Sequence, residues 1–214
     1  MKNIIIVGAS GFGKEVLQIV KEINKQKLIW NILGFIDDNP DLSGSIINDY
    51  KVLGNLEYVR NFDECSIVIA ITNPLQKESI LNKLNSYENN FFYPNIIHPS
   101  VNLSLDTNKI GHGNIITIGC ILTTNISIGN FNTLNTRTTI GHDVIVESFN
   151  IMNPNVQISG NVAIGSSNFF AVNSVILQGL KVGSYNNIGA CSLVLRNIKD
   201  NTRVFGVPAQ KIKF

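Results

Sequence analysis

The sequence predicts a chain in two parts: a small α/β unit with a parallel, Rossmann-like sheet, followed by an all-β solenoid built from very short strands. Three observations predict it. Short β-branched runs alternate with helical patterns over residues 1–98. From residue 101 onward the pattern changes to an apolar residue at every sixth position. That six-residue period then runs through fifteen repeats without a slip.

In the first part, Ile4-Ile5-Ile6-Val7 has the continuous apolar character of a buried parallel strand. A glycine-rich turn follows, and Val16, Leu17, Ile19, Val20 and Ile23 recur at helical spacing. Ile32 to Ile36 reads as a second strand ending in Asp37-Asp38-Asn39-Pro40, and Ser66 to Ile71 as a third. A helical pattern covers about Leu75 to Leu84, with Ile80, Leu81 and Leu84 on one face. The domain division expected is 1–98 and 99–214.

In the second part, Ile110, Ile116, Leu122, Ile128, Leu134, Ile140, Val146, Met152, Ile158, Ile164, Phe170, Ile176, Val182, Ile188 and Val194 are all apolar. With 44% hydrophobic residues, chance gives that outcome in a fixed register roughly once in 10⁵. Helices repeat at 3.6 and strands at 2.0, so a period of six needs a turn in every repeat. One inward side chain per six residues makes each segment one side of a prism, and three sides make a coil of about eighteen residues. Small or turn-forming residues such as Gly111, Gly129, Asn135, Gly141, Asn153, Gly165, Gly183 and Gly189 follow the inward positions.

Bulk properties exclude several classes. The 214 residues carry 15% charged side chains and a formal charge of +2, with no basic run of the kind that marks a nucleic-acid or membrane-surface partner. No stretch has the roughly eighteen apolar residues of a bilayer span. The apolar run after Met1-Lys2-Asn3 is too short for a signal peptide. Cys65, Cys120 and Cys191 are odd in number and widely spaced, so they read as structural thiols rather than a disulfide or zinc framework. A cytoplasmic location is expected.

The repeat resembles the left-handed parallel β-helix of hexapeptide acyltransferases, and its handedness comes from that resemblance. Gly206-Val207-Pro208-Ala209 is similar to the closing segment of those proteins. With the α/β unit in front, the chain resembles the PglD/NeuD-type sugar acetyltransferases of that superfamily. The resemblance implies transfer of acetyl from acetyl-CoA to a nucleotide-linked amino sugar, UDP being the expected nucleotide, for surface glycan synthesis. It also implies a homotrimer with CoA in the groove between neighbouring prisms.

Asn135-Thr136-Arg137-Thr138-Thr139-Ile140-Gly141-His142-Asp143 matches the catalytic segment of this family: Asn135 seven residues before His142, and Asp143 next to it. Histidine suits a general base because its ordinary pKa is near neutral, and a carboxylate beside it holds and polarises the ring. His142 follows a corner and is expected to point outward. In relatives a backbone amide eighteen residues further on stabilises the oxyanion, which corresponds to Gly160 here, one coil above His142. Further CoA contacts carry over to Val172, Ala190 and the region of Pro208. Relatives often have a second histidine nine residues after the first, where this chain has Ile151. That difference bears on CoA affinity or acyl choice, with Asn150 or Asn153 as substitute donors.

Gly8-Ala9-Ser10-Gly11-Phe12-Gly13 follows a strand and opens a helix, where backbone amides favour phosphate. Its G-x-x-G-x-G spacing differs from the dinucleotide G-x-G-x-x-G and resembles the UDP-sugar loop of the family. That resemblance implies substrate contacts at Gly8, Ser10, Gly11, Phe12, Gly13, Asp37 and Asp38. Thr72 and Asn73 lie at the same carboxyl edge of the sheet, where ligands of open α/β sheets bind.

His98 reads as a structural junction residue and His112 as a corner residue. Their spacing with His142, 14 and 30 residues, lacks the close pair of a zinc site, so no metal is expected. Other readings remain open: O-acetylation of a sugar such as sialic acid, a non-catalytic sugar-nucleotide-binding or scaffold protein, and a nicotinamide oxidoreductase. The glycine spacing disfavours the last.

Overall fold

The computed structural model describes residues 1–212. The N-terminal unit contains β1 (Lys2–Val7), α1 (Gly11–Gln26), β2 (Trp30–Ile36), β3 (Ile46–Ile47), β4 (Tyr50–Gly54), β5 (Glu64–Ile69), α2 (Pro74–Asn85) and β6 (Asn90–Phe92). They form one sheet ordered β3-β4-β2-β1-β5-β6. Every pairing is parallel except the β3–β4 hairpin. Asn48 and Asp49, at φ 47° and 75°, make its tight turn, both being residue types that tolerate left-handed backbone. The sequence reading did not anticipate β3, β4 or β6, which are too short or too interrupted by polar residues to show a period.

Chain order reverses across β1, so the carboxyl ends of β1, β2 and β5 open on a crevice. Two glycines build the turn above it. Gly8 has φ +105°, and a Cβ on Gly13 would sit 1.9 Å from the Gly8 carbonyl oxygen. α1 can therefore lie against that turn only without a side chain at Gly13. Its Val16, Leu17, Ile19 and Val20 are buried against the sheet.

From Ile96 onward the chain is a left-handed parallel β-helix with three faces. Face one stacks Ile96–Ile97, Ile115–Ile116, Thr133–Leu134, Ile151–Met152, Phe169–Phe170, Asn187–Ile188 and Arg203–Phe205. Face two stacks Ile121–Leu122, Thr139–Ile140, Gln157–Ile158, Val175–Ile176 and Leu193–Val194. Face three stacks Lys109–Ile110, Ser127–Ile128, Ile145–Val146, Ala163–Ile164 and Lys181–Val182. Partners such as Thr139 with Gln157 and Ile140 with Ile158 are eighteen residues apart. The first residue of each pair points out and the second in, as strand geometry requires. Fourteen of the fifteen period-six side chains are buried; Ile110, in the lowest tier, is half-buried.

A second column runs inside the corner between faces three and one. Asn114, Asn132, Asn150, Asn168 and Asn186 stack with 0–2% exposure. Each side-chain oxygen accepts the backbone N–H of the residue one tier up: Asn132 to Asn114 at 2.8 Å, Asn150 to Asn132 at 2.9 Å, Asn168 to Asn150 at 3.1 Å and Asn186 to Asn168 at 2.8 Å. Buried corner amides thereby find acceptors that the strand ladder does not supply. The last tier is two residues shorter, since Thr202 N–H reaches Asn186 Oδ1 at 2.7 Å across sixteen positions.

The α/β unit sits on face one and on that same corner. Phe131 and Phe149 hold left-handed backbone at φ 56° and 62°, an uncommon conformation for bulky residues. Their rings stack at 5.5 Å and 9°, and Tyr93 meets Phe131 edge-on at 5.3 Å, contacts that favour the strained corner. Lys77 of α2 is completely buried there. Its ammonium nitrogen donates to Thr133 Oγ1 at 2.6 Å and Phe131 O at 3.4 Å. Burial lowers its pKa from 10.5 to about 7. Glu22 of α1 pairs with buried His98, whose Nδ1 lies 2.7 Å from Ser100 Oγ. His98 is thus a junction residue, as its position in the sequence suggested. Among the described residues no helix is long and apolar enough to cross a membrane.

Candidate active site

His142 stands on the corner between faces two and three, with half of its side chain exposed. Its Nδ1–H donates to Asp143 Oδ2 at 2.8 Å, which leaves Nε2 as the ring acceptor. That bond, and a second from Asn125, hold the Asp143 carboxyl below the usual carboxylate range. Asn125, Asp143 and Asn161 all take left-handed backbone, at φ 58°, 57° and 56°. Asn and Asp accept that conformation most readily among residues with a side chain, so the corner suits this sequence without strain.

Gly160 lies one tier above. Asn161 N–H donates to His142 O at 2.8 Å, which locks the two corners together. A Cβ on Gly160 would meet His142 Nε2 at 2.5 Å and Cε1 at 2.6 Å, so only glycine lets the ring lie over this backbone. Among the described residues the Gly160 amide N–H has no acceptor. A ring acceptor and an uncommitted amide thus share one corner. This is the arrangement needed to remove a proton from a nucleophile and to receive negative charge on a carbonyl oxygen.

Asn135 is elsewhere. It occupies the corner between faces one and two and is 8% exposed. Its Oδ1 accepts from Thr136 N at 2.7 Å and lies 3.4 Å from Thr117 Oγ1. Val172 and Ala190 each lie two residues past a face-one strand, on that same corner, with Val172 40% exposed. Within one chain the structure brings together His142, Asp143 and Gly160, and separates them from Asn135, Val172 and Ala190. Pro208 lines a cavity of about 630 Å³ at the end of the solenoid, together with Arg196, Lys199 and Lys211. Ile151 is fully buried on face one, paired with Thr133 and Phe169. Asn150 belongs to the internal column, and Asn153 Nδ2 donates to Phe170 O at 2.9 Å, so both are committed to the coil.

The crevice of the α/β unit is a cavity of about 390 Å³ lined by Gly8, Ser10, Phe12, Asp37, Asp38, Thr72 and Asn73. Sequence reasoning missed Asn39, Leu56 and Gln76, which also line it. Gly11 and Gly13 are not in the lining; Gly11 opens α1 and has open space where a side chain would be. Asp37 accepts from Ala9 N at 2.8 Å and Asn39 N at 3.0 Å, and Asp38 from Leu56 N at 2.8 Å. Both carboxylates therefore shape the crevice, while keeping lone pairs for a ligand. Asn73 caps α2 through its side chain, accepting from Gln76 N at 3.0 Å.

His112 stands on a corner as the sequence suggested, edge-on to Phe131 at 5.2 Å. Cys65 and Cys120 are buried, and burial pushes each thiol up to about 11. Cys191 differs from the structural role expected of it: it is exposed, at a left-handed corner. Among the described residues no three His, Cys, Asp or Glu side chains converge as metal ligands would.

Residues 3–84 match the family model described as the PglD N-terminal domain. No curated protein sequence matches the chain significantly. Among solved structures, PerB from Caulobacter crescentus, in complex with CoA and GDP-perosamine, is 22% identical. It aligns over 100% of this chain and 98% of its own, with a TM-score of 0.88. The acetyltransferase domain of PglB from Neisseria gonorrhoeae, in complex with acetyl coenzyme A, is 22% identical over 99% of both chains, with a TM-score of 0.87. WeeI from Acinetobacter baumannii is 24% identical over 99% of this chain and 100% of its own, with a TM-score of 0.68. The chain has the fold of these proteins along its whole length, and its N-terminal unit matches the PglD domain, as the sequence resemblance implied.

Proposed function

We propose that the protein is an acetyl-CoA-dependent N-acetyltransferase acting on a nucleotide-linked amino sugar. The single observation that carries this reading is His142 Nε2 lying against Gly160, whose amide N–H is uncommitted, on a fold otherwise seen with CoA and a nucleotide amino sugar. In the proposed reaction the sugar amine attacks the thioester carbonyl and His142 Nε2 takes the amine proton. Asp143 stabilises the imidazolium, and the Gly160 amide donates to the tetrahedral oxyanion. The C–S bond then breaks, and the proton held on His142 goes to the departing CoA thiolate.

In this reading residues 1–98 bind the nucleotide sugar and residues 99–214 carry the transfer. The crevice at Gly8, Ser10, Phe12, Asp37 and Asp38 takes the nucleotide. The first-turn amides of α1, including those of Gly11 and Gly13, face the diphosphate. Thr72 and Asn73 lie where the sugar leaves the crevice. Acceptor-only carboxylates suit the N–H groups of a base or the hydroxyls of a ribose, and UDP and GDP both offer these.

The separation of the corners supports the homotrimer reading. His142 and Gly160 lie on one edge of the prism. Asn135, Val172 and Ala190 lie on another, and the α/β unit overhangs a third. A homotrimer that sets the His142 edge of one copy against the Val172 edge of the next would unite them, with CoA between. Arg196 and Lys199 beside Pro208 are then suited to its phosphates. Surface glycan synthesis in the cytoplasm is the setting that fits such a substrate.

The test is acetyl transfer from acetyl-CoA to a panel of UDP- and GDP-linked amino sugars and to sialic acid, read as thiol release and product mass. Turnover of an amino sugar supports the reading, and turnover of sialic acid alone would replace it with O-acetylation. Sedimentation checks the trimer, and a stable active monomer would overturn that part.

A further inference from the structure

The offset that puts Gly160 one tier above His142 also works downward from Asp143, to Asn125. These two residues occupy the same left-handed corner position in successive tiers, and Asp143 N–H donates to Thr124 O at 3.1 Å. Asn125 Nδ2 donates to Asp143 Oδ1 at 3.2 Å, while Asp143 Oδ2 accepts from His142 Nδ1 at 2.8 Å. Each carboxylate oxygen thus has one side-chain donor, and the two donors fix the plane of the group. The asparagines of the solenoid's internal column, on a different corner, accept through Oδ1 from the backbone of the next tier. Asn125 instead spends its amide on the side chain that holds the imidazole.

We propose that Asn125 is a positioning residue: it orients the Asp143 carboxylate so that His142 is held with its proton on Nδ1 and Nε2 free over Gly160. The proposal rests on the acyl-transfer reading for its consequence in catalysis, but not for its geometry. An unconstrained histidine side chain favours the proton on Nε2, the wrong nitrogen for a base facing Gly160, so the tautomer must be imposed from the Asp143 side. A lone exposed carboxylate rotates and accepts through either oxygen. One bonded through Oδ1 to a neighbouring tier presents Oδ2 in a single direction.

The test uses Asn125→Gly and Asn125→Asp. Glycine removes the amide without straining a backbone at φ +58°. Aspartate keeps the size and tolerates the conformation but cannot donate in its ionised form. Two-dimensional ¹H–¹⁵N spectra of the histidine rings, with the His142 signals assigned from the His142→Ala protein, read the tautomer without any substrate. The expected result is a mainly Nδ1–H ring in the native protein and a clear loss of that population in both variants. The kcat should fall roughly three- to tenfold, the effect of one net hydrogen bond, with KM for both substrates unchanged. An unaltered tautomer population in Asn125→Gly would overturn the proposal. Full activity in His142→Ala would instead overturn His142 as the base and leave the tautomer measurement to decide the role of Asn125.

Discussion

Two corners of the same prism differ in how they treat their backbone amides. Between faces three and one, the corner under the α/β unit, side chains supply acceptors tier after tier. The asparagine column serves the inner amides. Asn130 Oδ1, Ser148 Oγ, Ser184 Oγ and Asp200 Oδ1 accept from His112, Asn130, Ser166 and Ser184 N–H at 2.7–3.0 Å. Between faces two and three, the Gly160 amide has no acceptor among the described residues, and the polar side chains at 125, 142 and 143 bond to one another. The first corner is bonded along most of its tiers, with Asn186 Nδ2 left without a partner, and it docks the α/β unit. The other leaves the Gly160 amide without an acceptor, the donor that the proposed reaction would use.

The contrast is most easily broken at His142. His142→Ala should lower acetyl transfer by about 10²–10⁴-fold, the range for loss of a general base, with unchanged circular dichroism and melting. A merely solvated histidine would leave turnover intact. Gly160→Ala should come next. A methyl group 2.5 Å from Nε2 displaces the ring, and a fall in kcat approaching 10²-fold is expected from the disturbed base and amide. Equal kcat in Gly160→Ala and native protein would remove this corner from the reaction.

Asn150→Ala tests the other corner. It takes the acceptor from Asn168 N and Nδ2, at 3.1 and 2.9 Å. Urea unfolding should show a loss of about 2–4 kcal/mol from buried donors left unpaired, with normal turnover per folded molecule. A neutral result would mean that the column is incidental.

Lys77→Met sharpens the comparison through pH. The folded pKa, about 7 against an ordinary 10.5, means the unfolded chain binds one more proton between those values. Native stability should therefore rise with pH across that window, by up to about 1.4 kcal/mol per unit, and not below it. The Met variant should lack this rise and be the more stable protein at pH 6. Parallel stability curves for the two proteins would show that the amine is not held neutral.

The solenoid was legible because each tier must send one apolar side chain inward from each face, and nothing in the sequence interrupts that demand. Gly160 was legible from the tier length once the resemblance had pointed to His142. The same step taken backward from Asp143 would have found Asn125. The asparagine column was equally readable, at 114, 132, 150, 168 and 186, but asparagine in a glycine-rich repeat reads as a turn former. Lys77 had no such signal, since a lysine on an amphipathic helix ordinarily faces water, and only the packing of α2 on face one buries it. At Gly13 the sequence pattern does not show the packing demand for glycine, which is the close approach of α1 to the Gly8 carbonyl.

The shortened last tier has a consequence for the molecule's size. A repeating coil has no intrinsic length, and its top rim offers bare strand edges to any similar chain. Here the step from Asn186 to Thr202 drops two residues, and Arg203–Phe205 pairs with Gln210–Lys211 running in reverse. A newcomer with eighteen-residue spacing would meet a rim out of phase and partly occupied by a strand of the wrong direction. The sixteen-residue step and the reversed strand thus both work against in-register stacking of a second coil on this rim.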